Sequence, residues 1–250
     1  MSEGPELDAE GMIRLQKLLA QSGVASRRKC EELMLDGHVE VDGEVVTRLG
    51  TKVDARTAVI RVAGKRLPPV TPHVYLVLNK PRGVVSTMSD PEGRRTLSDF
   101  VADRPERLFH VGRLDTDTEG LILLTNDGDF AHRMAHPSYE LDKTYVAEVP
   151  GPVSRATVRK VLAGVDLEDG PVAVSSFKVI SSHKDKAIVE LVIHEGRNRI
   201  VRRLLESVGH PVRRLTRTAI GPVRLTGLRR GEMRELTRDE LGTLLDAARL

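Results

Sequence analysis

Tryptophan is absent from this chain of 250 residues, and aromatic residues of every kind make up only 3% of it. A core must then be filled by aliphatic side chains, which a hydrophobic content of 40% can supply. Cysteine occurs once, at Cys30, so no internal disulfide framework can form and a reducing, cytoplasmic setting is expected. No run approaches the roughly 18 apolar residues of a membrane span, so no membrane partner is expected. The opening Met1-Ser2-Glu3-Gly4-Pro5-Glu6 lacks the apolar segment of a signal peptide, and residues 1–10 are expected to form a disordered tail. Neither a P-loop nor a dinucleotide-binding glycine pattern occurs, which argues against a nucleotide cofactor.

Charge is where the sequence becomes informative. The net charge is only +3, but its distribution is uneven. Eleven arginines lie between Arg197 and Arg234, opposed only by Glu206 and Glu232. A second cluster, Arg27-Arg28-Lys29, sits near the start. Two separated basic regions suggest a polyanionic partner that runs across the protein.

Residues 12–22 place Ile13, Leu15, Leu18 and Leu19 at mostly helical spacing, with Gly23 to close the helix. Ser26 can cap a second helix running to Asp36 and ended by Gly37. Its first turn would hold Arg27, Arg28 and Lys29, the wrong sign for the helix dipole unless a phosphate sits there. Val39-Glu40-Val41, Asp42-Gly43 and Val45-Val46 read as a hairpin, with Val59 to Val62 as a closing strand. In this pattern residues 12–62 resemble the small RNA-binding domain named after a small-subunit ribosomal protein, an alpha-L fold. The resemblance implies that Arg14, Lys17, Arg27, Arg28 and Lys29 face RNA phosphates. Three prolines in residues 64–72 mark a stiff linker. The expected division is therefore an RNA-binding domain over 11–63, a linker over 64–72, and a second domain over 73–250.

The second domain is organised around one polar stretch, Gly112-Arg113-Leu114-Asp115-Thr116-Asp117-Thr118-Glu119-Gly120, followed at once by the apolar run Leu121 to Leu124. The run reads as a buried strand that would hold a carboxylate on a rigid mount. Upstream, Val74 to Leu78 reads as a strand, and Asn79-Lys80-Pro81-Arg82-Gly83 as a turn presenting Lys80. Further strands are expected near 107–111, 141–149, 172–180 and 186–194, with helices at 129–135, 154–163, 195–208 and 238–248. Ile200, Val201, Leu204, Leu205 and Val208 form the inward stripe of the third of these helices. Strands and helices interleave without a strict βαβ repeat, which argues an α+β fold with a mixed, mainly antiparallel sheet. His132 and His136 are four apart, but with no HExxH pattern and no nearby Cys no metal site is expected. Asp127-Gly128 suits a turn and Asp129 a helix start. That leaves Asp115 and Asp117 as carboxylates the residues alone cannot rank.

Four segments together resemble one family. They are Lys80-Pro81-Arg82-Gly83; Gly112-Arg113-Leu114-Asp115 with Thr118-Glu119-Gly120-Leu121; Lys143-Thr144-Tyr145; and Gly196-Arg197-Asn198-Arg199 with Val201-Arg202-Arg203. In order and spacing they are similar to the pseudouridine synthases of the RsuA/RluB type, a group that carries the same N-terminal domain. The resemblance implies isomerisation of a uridine in ribosomal RNA to pseudouridine, without metal or other cofactor. It assigns the essential carboxylate to Asp115, the base-packing ring to Tyr145, and the aspartate's cationic partner to Arg202. Lys80, Arg113, Arg197, Asn198, Arg199 and Arg203 become candidate RNA contacts. Glu195-Gly196-Arg197-Asn198-Arg199 is closer to the RluB pattern, which implies 23S rRNA of the large subunit. The alternatives are a 16S small-subunit uridine, or a non-catalytic ribosome-assembly factor. The expected partner is ribosomal RNA or a ribosomal subunit precursor, met by a monomer.

Overall fold

The computed structural model describes residues 12–55, 57–67, 73–135 and 141–249. They fall into two compact units. The first lies within Met1–Val74 and takes in Arg104–Arg107 and Asn126–Gly128; the second comprises Tyr75–Asp103, Leu108–Thr125 and Asp129–Leu250.

The first unit opens with a correction to the single helix expected over 12–22. Met12–Arg14 is a strand, β1, paired antiparallel with Lys52–Asp54, and α1 spans only Leu15–Gln21. Ile13 and Val53 meet in that pairing, so the apolar residue that completes a helical pattern is held in a sheet instead. Helix α2 (Arg27–Leu35) starts as expected at Ser26, whose hydroxyl accepts the Lys29 amide at 3.2 Å. The hairpin of β2 (Val39–Val41) and β3 (Glu44–Val45) turns on Asp42 and Gly43, with φ of 52° and 89°. Two consecutive positive φ angles are what the tight hairpin turn requires. β4 (Lys52–Asp54), β5 (Ile60–Val62) and β6 (Lys65–Arg66) complete the unit, whose larger sheet has the order β3-β2-β5-β6. Lys65–Arg66 thus extends a folded hairpin, where a linker was expected from residue 64; the backbone of Val62 and Arg61 pairs with it. The prolines of that stretch lie outside the described residues, as do the expected tail 1–10 and His136. Leu15, Leu19, Cys30, Met34 and Val39 pack in a core with no exposure at all.

In the second unit the elements run β7 (Tyr75–Lys80), a short 3-10 turn (Leu97–Phe100), β8 (Phe109–Val111), β9 (Thr118–Thr125) and α3 (Gly128–Ala135). Then follow β10 (Lys143–Val149), α4 (Arg155–Leu162), β11 (Val165–Leu167), β12 (Gly170–Val172), β13 (Ser176–Ser182) and β14 (Ala187–Ile193). The chain ends with α5 (Ile200–Ser207), β15 (Arg214–Ile220), β16 (Val223–Arg224), β17 (Met233–Glu235) and α6 (Arg238–Ala248). The main sheet has the order β13-β14-β10-β15-β9-β7-β17, with β8 and β16 paired off that path. Its strands are antiparallel neighbours except β9 and β15, which run parallel. The fold is α+β with a mixed, mainly antiparallel sheet.

Strand β9 is the centre of this unit, and all eight of its residues are buried. Alternation sends Leu121 and Leu123 to one face, where they meet Phe130 and Met134 of α3 and Leu244 of α6. The strand is longer than the apolar run suggests: Thr118, Glu119 and Gly120 belong to it rather than to the preceding loop. Asn79 and Lys80 likewise complete β7 instead of forming a turn. The hairpin of β11 and β12 has no counterpart in the expected elements. Among the described residues no helix is long and apolar enough to cross a membrane.

Candidate active site

The loop between β8 and β9 carries Asp115, and three backbone anchors fix its course. The buried hydroxyl of Ser86 donates to the Leu114 carbonyl at 2.6 Å and accepts the Leu114 amide at 3.1 Å. The Gly83 amide donates to the Thr116 carbonyl at 2.7 Å, and the Thr118 amide closes a turn on the Asp115 carbonyl at 3.0 Å. Asp115 itself is left with a side chain one-third exposed. A carboxylate on an anchored backbone, partly open to solvent, is preorganised for chemistry on a bound ligand. Ser86 was not singled out from sequence, where an isolated serine carries no signal.

The sheet brings the next residues together. Directly paired positions across strands point to one face, and one such row reads Leu191, Tyr145, Arg217, Gly120, Lys80. Tyr145 is therefore a floor residue of the sheet, 7% exposed, flanked by Arg217. Arg217 is 4% exposed, and its Nε donates to the Leu121 carbonyl at 2.8 Å. Sequence reading passed over it as one of many arginines; its position opposite the glycine of β9 is visible only once the strands pair. Gly120 supplies the room: a Cβ there would stand 2.2 Å from the Arg217 carbonyl oxygen.

Lys80 corrects an expectation. Instead of being offered to phosphate on a turn, it is completely buried, its Nζ donating to the carbonyls of Val84 at 2.8 Å and Pro81 at 3.1 Å. Burial lowers its pKa to about 8, against the opposing pull of Asp115, Asp117 and Glu119. It ties the Pro81–Val84 loop to the strand, and its charge lies in the field of Asp115.

The arginines sort by what they hold. Arg202 does not pair with Asp115, as the resemblance implies, but with Asp117 at 3.2 Å, and it also donates to the Asp117 carbonyl at 3.1 Å and the Thr118 hydroxyl at 3.3 Å. Asp115 is met instead by Arg199 at 3.6 Å. The shift follows from backbone geometry: the loop turns Asp117 toward α5, and Arg199, at the N-terminus of that helix in a left-handed conformation with φ 48°, reaches both acids. Burial would raise the pKa of Asp117, but the Arg199 hydrogen bonds and the charges of Arg202 and Arg199 outweigh it and leave the pKa lowered. The Arg202 Nε and the Arg217 Nη2 are buried without a partner, each costing about 1–3 kcal/mol. Such unsatisfied donors in the same unit as a poised carboxylate mark a site organised for something other than stability alone.

Arg197 is a second correction. Its five N–H groups are all spoken for by Glu195, Asp169, Gly170 and Pro171, so it staples the loop before α5 to the β11–β12 turn. Arg203 forms a two-point pair with Asp169 and donates to the Asn198 carbonyl. Arg113 and the Asn198 side chain are exposed, as are Arg14, Arg27 and Arg28 in the first unit. Lys17 is half-buried, and Lys29 pairs with Glu32 at 2.6 Å. Among the described residues no group of three or more His, Cys, Asp or Glu is placed to hold a metal ion.

Comparison with known proteins gives these features a family. Residues 74–207 match the model for RNA pseudouridylate synthases, and residues 13–59 match the S4 domain. An uncharacterised RNA pseudouridine synthase of Mycobacterium tuberculosis is 52% identical over 253 residues, covering 100% of both chains. A protein of Bacillus subtilis named ribosomal large subunit pseudouridine synthase B is 48% identical, covering 93% of this chain and 96% of its own length. A crystal structure described as a pseudouridylate synthase superposes with a TM-score of 0.62 at 30% identity, over 93% of this chain and 99% of the other. The chain belongs to the RNA pseudouridylate synthase family and joins that enzyme's domain to an N-terminal S4 domain.

Proposed function

We propose that this enzyme converts a uridine of 23S ribosomal RNA to pseudouridine, with Asp115 as its essential carboxylate. The observation that carries the reading is the anchoring of Asp115, partly exposed, between a cation-lined sheet face and the first turn of α5. In the reaction the bond from C1′ to N1 breaks, the uracil turns, and C1′ joins C5. The hydrogen displaced from C5 is balanced by the one gained at N1, so no redox partner is needed. The target base must leave its stack, at a cost of a few kcal/mol. Tyr145 supports the flipped uracil, a contact worth about 1–3 kcal/mol. Arg199 aims Asp115, while Arg202 fixes the loop through Asp117. Exposed Arg113, Arg14, Arg27 and Arg28 meet phosphates, together with Lys17 and Lys29. The large-subunit target is supported by the name of the Bacillus subtilis relative.

The test is a map of pseudouridine in ribosomal RNA from cells with and without this protein, complemented by wild type or Asp115→Asn. One large-subunit mark should vanish, return with wild type and stay absent with the variant, which still binds RNA. A vanished small-subunit mark would overturn the substrate, and restoration by Asp115→Asn would overturn the carboxylate.

A further inference from the structure

Glu119 lies one residue before Gly120, so alternation along β9 sends its side chain to the face opposite Arg217 and Tyr145. Its carboxylate is only 6% exposed. Arg214 binds it at two points, Nε to Oε1 and Nη2 to Oε2, both at 3.0 Å. Arg230, from the loop between β16 and β17, approaches Oε2 through its Nε at 2.8 Å. One negative and two positive charges leave a surplus of one positive charge.

The two arginines remain open, with side chains 43% and 58% exposed. Their situation is the reverse of that of Arg197, whose donors are consumed. Arg214 pairs with Glu119 through Nε and Nη2, which leaves Nη1 outside that two-point contact, and Arg230 approaches the same carboxylate through its Nε. Burying a carboxylate costs several kcal/mol unless it is well paired. A single two-point arginine already provides that pairing, so stability does not call for the second cation. What the second cation adds is a pair of guanidinium groups held side by side with donors facing outward. Held in advance, they give up less side-chain freedom on binding an anion, and their planar forks suit phosphate.

We infer that Glu119, Arg214 and Arg230 form a phosphate clamp for the RNA backbone, distinct from the site at Asp115. Glu119 lies four positions after Asp115, a Cα–Cα span of at most about 14 Å. A strand whose target nucleotide reaches Asp115 therefore carries flanking phosphates within range of the clamp. The clamp holds the strand beside the flipped nucleotide and takes no part in the bond exchange. It deepens the ribosomal RNA reading and rests on it.

The experiment uses the full-length protein and deproteinised large-subunit ribosomal RNA from cells lacking it. Affinity is measured against salt concentration, and pseudouridine formation is followed in parallel. Arg230→Gln should flatten the slope of log affinity against log salt by about 0.7, the value for one single-strand phosphate contact. It should raise KM about fivefold, the scale of one charge-assisted contact, with kcat unchanged. Arg230→Lys should keep the slope, and Arg214→Gln combined with Arg230→Gln should flatten it by about 1.4. If the double variant does not fold, Arg230→Gln alone decides, because the exposed Arg230 leaves the Arg214–Glu119 pair in place. A lower melting temperature with unchanged slope and KM would reduce the cluster to a structural ion pair and overturn the clamp. Failure of the wild-type enzyme to modify both this RNA and the large-subunit precursor from the same cells would overturn the ribosomal RNA reading, and the clamp with it.

Discussion

Lys80 carries an ammonium group into a place from which water is excluded. It holds two carbonyl partners there, yet its pKa falls to about 8. Burial is the main cause and the Arg217 charge adds to it, while Asp115, Asp117 and Glu119 pull the other way. In the unfolded chain the group titrates near its ordinary 10.5. Between those values the unfolded chain keeps a proton that the folded protein has released, so stability rises with pH across the window from about 8 to 10.5. Below about pH 8 both states are protonated and the folded state bears the whole cost, about 3 kcal/mol. Urea unfolding of wild type and Lys80→Met at pH 7 and pH 10 measures this directly. Wild type should gain about 2–3 kcal/mol relative to the variant over that interval, and two parallel responses would contradict the buried ammonium. Nothing in Asn79-Lys80-Pro81-Arg82-Gly83 announces it. The proline and glycine signal a turn correctly, but whether the lysine before them faces water depends on Val84 and Pro81 closing over it.

At the scale of elements, the pairing of β9 with β15 is, among the described residues, the one parallel contact in the main sheet, and it begins where the loop that carries Asp115 ends. Gly120 permits it. Its φ is +111°, and a methyl group there would lie 2.2, 2.7 and 2.9 Å from the O, N and C of Arg217. All three are backbone atoms, so no side chain can swing aside. Gly120→Ala should force β9 and β15 apart and cost about 3 kcal/mol or more, overpacking added to strain. Thermal unfolding would show a collapse of the transition temperature, and an alanine variant as stable as wild type would mean the strands are not so close. This pairing also explains what was hidden. Thr118, Glu119 and Gly120 look like the end of a polar loop because their strand partners lie about a hundred residues downstream. Helix α5 was legible for the opposite reason. Its stripe of Ile200, Val201, Leu204 and Leu205 is a local pattern, and all four residues are buried. The Ser26 cap of α2 was legible in the same way. The salt-bridge partners of Arg199 and Arg202 were not, since a loop backbone chooses between Asp115 and Asp117.

At the scale of the molecule, two apolar clusters among the described residues share no residue. One is built from Ile13 to Ile60, and the other from Val77 to Ala248. Each unit thus buries its own aliphatic side chains, and the S4 and synthase matches fall on the two sides of residue 67. The sequence signals of this division were strong, because caps, hairpin turns and motif order are local. The pairing of Lys65–Arg66 with β5 is invisible in a run of cations and prolines. Deleting residues 1–67 should therefore leave the synthase unit folded, with a single cooperative unfolding transition. Among the cations that the deletion removes are the five candidate phosphate contacts Arg14, Lys17, Arg27, Arg28 and Lys29. Lys29 is paired with Glu32 and contributes least. If three of the remaining four meet phosphate, the salt slope of RNA binding should flatten by about 2, at roughly 0.7 for each contact. The arginines of the second unit are untouched, so residual binding should persist with a shallower slope. Loss of cooperative unfolding would show that the second core depends on the first unit. An unchanged slope would remove the first unit from the RNA-binding surface and leave its cations as solvated charge.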